Sequence, residues 1–139
     1  MAQTNAQSCL YRAIWRWHFY AGIVVAPFVL MLSVTGLIYL FYDEINDVLH
    51  RDKRIVAPAA RSLPLSALVE AAVAGYPGGK VTRVDTPRDQ SRSVEVFVSP
   101  AVGEPVRVFV DPGSGVVLGA YIYAHTLVGF ADVMHGSLM

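Results

Sequence analysis

A chain of 139 residues with eleven basic and eleven acidic side chains, formal net charge +0, has the size of about one domain. It is 54% hydrophobic and 16% charged, with a mean hydropathy of +0.44, whereas an ordinary soluble domain carries about 25% charged residues. The apolar content excludes a disordered chain, and the balanced charge leaves no field to attract nucleic acid. A single cysteine, Cys9, excludes an intrachain disulfide and a cysteine metal cluster. These exclusions leave a membrane-associated chain.

From Trp17 to Tyr42 the sequence contains no Asp, Glu, Lys or Arg. As a helix this segment would run ~39 Å, enough for the hydrocarbon core and part of both interfaces. No small-residue cleavage pattern follows it, so it reads as an uncleaved signal-anchor helix. Pro27 removes one backbone donor and is expected to bend the helix. Gly22, Ser33 and Gly36 are either ordinary small residues of such a helix or places where another helix can approach closely. Aromatic side chains crowd both ends, with Trp15, Trp17, Phe19 and Tyr20 at the start and Tyr39, Phe41 and Tyr42 at the exit, as expected at headgroup level. Arg12 and Arg16 before the span against Arg51, Lys53 and Arg54 after it do not decide orientation by count. An N-terminus on the inner side is the reading adopted.

Asp43 to Arg61 reads as a polar connector. In LPLSALVEAAVAGYP, Leu65, Leu68, Val69, Ala72 and Val73 form one apolar stripe of helical period, with Pro64 or Ser66 at the start and Gly75 and Pro77 at the end. Strands are expected over 80–85, 93–98 and 105–110, where valines alternate with Glu95, Phe97, Arg107 and Phe109. That period of two predicts one packed face and one face in water. The turn Asp111-Pro112-Gly113-Ser114-Gly115 leads to a fourth strand at Val116-Val117-Leu118. The expected fold is therefore membrane α+β: one transmembrane helix over 17–42, then a helix laid on a small antiparallel sheet over 63–120. No nucleophile elbow, phosphate loop or H-E-x-x-H is present, which argues against a hydrolase or a nucleotide enzyme.

The histidines are the candidates for chemistry. His18 opens the apolar span, either as an interfacial side chain or as an axial ligand to haem iron. His135 stands near the C-terminus, either as an ordinary helix residue or as a second such ligand. His50 and His125 read as solvent-exposed. No second spanning segment separates Tyr42 from Met139, so His135 is expected on the exit side, ~36 Å along the helix from His18. Two imidazoles so far apart cannot share one iron. If both bind haem, they bind different haems.

The run LYRAIWRWHFYAGIVVAPFVLMLSVTGLIYLFYDEIN, followed by LPLSALVEAA, VFVDPGSGVVLG and TLVGFADVMHGSLM, resembles the PepSY-associated transmembrane family over about 10–139. The resemblance implies a bacterial inner-membrane protein linked to iron uptake, with a cytoplasmic N-terminus and a periplasmic PepSY-like domain. It implies haem b with His18 and His135 as ligands, and it extends in some members to reduction of ferric siderophores. In the family the H-G-S-L motif leads into a second spanning helix, so the chain is expected to correspond to the N-terminal part of a full member. Its partners are then the lipid bilayer, further transmembrane helices and a ferric chelate. The other reading is a single-helix anchor that displays a PepSY module to an extracytoplasmic partner such as a peptidase.

Overall fold

The computed structural model describes residues 2–87 and 89–137, with side chains from Ser8 onward. Leu138 and Met139, the end of the H-G-S-L-M motif, lie outside the described residues. Helix α1 (Ala2–Leu40) contains Pro27 and is the long apolar helix expected from the sequence. Within Ser8–Leu40 an 18-residue window reaches a mean hydropathy of 2.4, and the helix is long and apolar enough to cross a membrane. Ile23, Val24, Phe28, Leu30 and Leu37 are each at least half exposed, so this surface requires an apolar solvent.

The helix ends at Leu40, two residues before the expected exit. Phe41 forms a junction with φ −94° and ψ 33°, and Tyr42 opens the next helix. The expected connector is a second correction, because its first part is helical: α2 (Tyr42–Leu49) and α3 (Arg51–Arg54). Ile45, Val48 and Leu49 lie on one side of α2 and Asp43, Asn46 and Asp47 on another. Asp43 and Glu44 occupy its first turn, where the helix dipole favours acids. The chain then runs beside residues 91–93, with Val56 N donating to Ser91 O at 2.9 Å and Ser93 N donating to Arg54 O at 3.0 Å.

Helix α4 (Leu65–Ala74) begins after Pro64 and closes at Gly75, as the stripe predicted. The sheet is a plain antiparallel meander, β1 (Lys80–Asp85), β2 (Val94–Ser99), β3 (Val106–Val110) and β4 (Val117–Ile122), in the order β1-β2-β3-β4. Val94, Val96 and Val98 pair with Val110, Val108 and Val106, and this valine face is buried beneath Leu68 and Ala72 of α4. Leu65, by contrast, is 47% exposed, because α4 meets the sheet only through its central turns.

β4 extends four residues beyond the expected Leu118. Gly119 hid the strand by breaking the alternation. It has φ +149°, a conformation side chains rarely adopt, and it lies under the Lys53 stem at the β3/β4 irregularity. The sheet's second face is not open to water as alternation implied, since α2 and α3 lie across it. Phe109 is fully buried there and its ring lies 5.0 Å from that of Tyr121. After a 3-10 turn at Tyr123–His125, α5 (Leu127–Gly136) packs back against α1. The Thr126 side chain caps α5 by accepting from Gly129 N at 3.0 Å. Gly129 is forced by contact, because a Cβ there would stand 1.8 Å from the Tyr123 carbonyl oxygen.

Candidate functional site

His135 is placed on α5 so that its ring meets α1. Nδ1 lies 3.1 Å from the Thr35 hydroxyl, and Thr35 is itself buried. The absence of a side chain at Gly36 makes room for the ring, since a Cβ there would come within 3.3 Å of Cε1 of His135. The small-residue reading therefore holds at Gly36, whereas a Cβ at Gly22 would meet nothing within 4 Å. Thr35 is one and a half turns inside the end of α1, so His135 lies at the level of the apolar helix rather than beyond it.

His18 lies on the same helix seventeen residues earlier, about 26 Å away by helical rise. That is shorter than the ~36 Å expected from the ends of the span, because α5 turns back along α1. The two histidines are still not brought together. His18 is exposed and makes no hydrogen bond among the described residues. No cluster of three or more His, Cys, Asp or Glu side chains suited to a metal occurs among the described residues. His18 and His135 therefore stand as two separate imidazoles at different levels of α1.

His50 corrects the sequence reading. It is half-buried, its ring centroid 4.6 Å from that of Tyr121, and burial together with nearby Lys53 lowers its pKa. His125 is exposed as expected, with Nε2 3.3 Å from Glu104.

Where α1, α2, the sheet's second face and α5 converge, they enclose a cleft of about 720 Å³ with a polar lining. Its organising residue is Arg54, whose side chain is only 6% exposed. The guanidinium donates to Asp43 at 2.7 Å, Asp47 at 2.8 Å and Glu95 at 2.6 Å. Burial alone would lower its pKa, but Asp47 and Glu95 outweigh that and hold it above the usual value. Arg92 also donates to Asp47. Burial raises the Glu95 carboxyl despite the lowering by Arg54 and Arg107.

Arg107 donates to the Tyr42 hydroxyl and stacks 3.7 Å over the Tyr123 ring. Phe97 carries Arg83 and Arg107 over its ring, each at 4.7 Å. Tyr123 donates to Asp132 of α5 at 3.2 Å, and burial together with Asp132 raises its pKa. Tyr121, half-buried, is pushed up to about 12 by loss of solvent around its hydroxyl. Asp132 lines this cleft and stands one helical turn before His135. On another side of the junction, Leu37, Phe41, Ile45, Val48 and Leu127 line an apolar hollow that continues the exposed surface of α1.

Sequence reasoning singled out the histidines and missed Thr35, Arg54, Asp47 and the Glu95–Arg107 pair. Two signals were present. Asp43 and Asp47 stand at helical spacing, and strand alternation put Glu95 and Arg107 on the same face, opposite the valines.

No curated protein matches the chain. The model of the family described as the PepSY-associated TM region matches residues 15–139, from the tryptophan-rich start of the span through α5. With its long apolar helix, its small α+β domain and that match over nearly the whole chain, the protein belongs to the PepSY-associated transmembrane family and is a membrane protein.

Proposed function

We propose that the chain forms part of a transmembrane electron-transfer protein of the ferric-siderophore reductase type, held in a bacterial inner membrane with its N-terminus inside. The observation that carries this reading is the placement of His135: inside the level of the apolar helix and one turn of α5 below a polar cleft. Haem b bound there would supply reversible one-electron chemistry. His135 would hold the iron of one haem and His18 that of another, their levels about 26 Å apart along α1.

The cleft residues act on the electron acceptor. A ferric chelate presents oxygen-rich polar groups around its metal, and the cleft offers both guanidinium donors and carboxylate acceptors to orient them. Arg54 ties Asp43 and Asp47 of α2 to Glu95 of the sheet and so holds the wall of the cleft together. Tyr123 and Asp132 tie its floor to the helix that carries His135.

Haem content decides the reading. In the protein expressed at its natural length, reduced-minus-oxidised spectra should show a b-type haem. His18→Ala and His135→Ala should each lose part of it. Unchanged haem content in both variants would overturn the ligand assignment.

A further inference from the structure

The hydrogen bond between Thr35 and His135 has a determined direction. Thr35 Oγ1 has one proton, and the oxygen lies 2.9 Å from the Met31 carbonyl and 3.3 Å from the Leu32 carbonyl. A helical threonine commonly donates to such carbonyls, and turning the proton elsewhere would set two acceptor oxygens against each other at 2.9 Å. With that proton committed, Oγ1 has only lone pairs to offer His135. The 3.1 Å contact is then a hydrogen bond only if Nδ1 carries a proton and donates it.

A neutral imidazole protonated at Nδ1 has its free lone pair at Nε2. Gly36 cooperates by letting the Nδ1–Cε1 edge of the ring lie against α1. Nε2 has no hydrogen-bond partner among the described residues.

We propose that Thr35 is a positioning residue that fixes His135 as the Nδ1–H tautomer and presents a bare Nε2 as a ligand for iron. This rests on the proposed function for the identity of the metal, but the tautomer itself does not. The same logic governs metal-binding histidines in general, whose second nitrogen donates to an orienting acceptor. Here the acceptor is a hydroxyl on the membrane helix, so ligand orientation depends on the α1–α5 contact.

The test uses nitrogen NMR of ¹⁵N-histidine-labelled protein at its natural length, free of haem, in lipid nanodiscs. The His135 signals are identified by their loss in His135→Gln. The wild type should show a protonated Nδ1 and an unprotonated Nε2. Thr35→Ser, which keeps the hydroxyl, should preserve that pattern. Thr35→Val, which keeps the shape and removes the acceptor, should move the proton to Nε2 and weaken iron binding at His135 by roughly 10–100-fold.

A wild-type His135 protonated at Nε2 overturns the proposal without any variant. A Thr35→Val protein of normal helicity with an unchanged tautomer overturns it too. Failure of the haem reading looks different: His135→Ala would retain all its haem while the wild-type NMR pattern stayed as described.

Discussion

Arg54 joins Glu95 of the sheet to Asp43 and Asp47 of α2, and removing it should be costly. Its guanidinium serves Glu95, whose side chain is 15% exposed, Asp47 at 22%, and Asp43 at 64%. The exposed Asp43 contact is worth little. Asp47 retains Arg92, so its loss is partial. Among the described residues Glu95 then retains only Arg107 at 3.8 Å and becomes a buried, poorly paired carboxylate. Breaking such a pair from one side costs about 3–5 kcal/mol, or roughly 10–20 °C in a chain of this size.

Arg54→Lys places one compact charge among carboxylates that a planar fork had bridged, so it should fall between wild type and Arg54→Ala. Glu95→Gln in the Arg54→Ala background removes the stranded charge and should recover about 1–2 kcal/mol. The pH dependence has a definite sign. Burial already raises the Glu95 carboxyl, and losing Arg54 removes a lowering influence. A carboxyl whose folded pKa is raised contributes stability at low pH that is lost as pH rises through the folded value. The deficit of Arg54→Ala should therefore shrink on acidification toward the ordinary glutamate range. Thermal unfolding followed by circular dichroism in detergent at pH 7 and pH 5 measures both effects. An Arg54→Ala protein within about 1 kcal/mol of wild type, with no change in the deficit at acid pH, would refute the reasoning.

Other outcomes follow from packing and turn chemistry. Leu68→Ala should cost about 2–5 kcal/mol, since the side chain is 2% exposed in the valine core. Leu65→Ala, one turn earlier but 47% exposed, should cost about 0.5 kcal/mol or less in the same melts. Gly129→Ala forces a Cβ onto the Tyr123 carbonyl and should destabilise by about 1–3 kcal/mol or more, read as lost amide protection in α5. Gly22→Ala meets open space and should leave the protein unharmed.

In the β3–β4 turn, the Ser114 hydroxyl and the Gly113 N–H hold the Asp111 carboxyl below its usual range. A lowered folded pKa gives stability that is present above the ordinary value of 3.8 and lost as pH falls through the folded pKa. Asp111→Asn should thus weaken hairpin protection at pH 7 by up to about 1 kcal/mol. In amide exchange the difference from wild type should vanish in acid.

Elements with a strong local period were legible in the residues. The 3.6 spacing of Leu68, Ala72 and their neighbours located α4, and the valine alternation located β2 and β3 and their buried face. The second face was misread because Glu95 and Arg107 are polar yet buried, and polarity alone gives no sign that a partner will cover a side chain. That partner is α2–α3, where short helices with few apolar residues resemble a linker until Arg54 meets Glu95, forty-one residues away.

The candidate site divides in the same way. His135 could be named from the chain. Its contact with Thr35, one hundred residues earlier, depends on α5 turning back along α1, for which no local pattern encodes the direction. Gly36 was marked as a place of close approach, but the approaching group could not be identified before the fold was known.

In the proposed function, electrons leave the membrane by way of His135 toward an acceptor in the cleft. Proteoliposomes containing the protein at its natural length, with a membrane-impermeant reductant inside and a ferric chelate outside, test it directly. The wild type should reduce the external chelate. His135→Ala should lose that reduction while the haem assigned to His18 stays reducible from within. Chelate reduction at the wild-type rate in His135→Ala would contradict the claim.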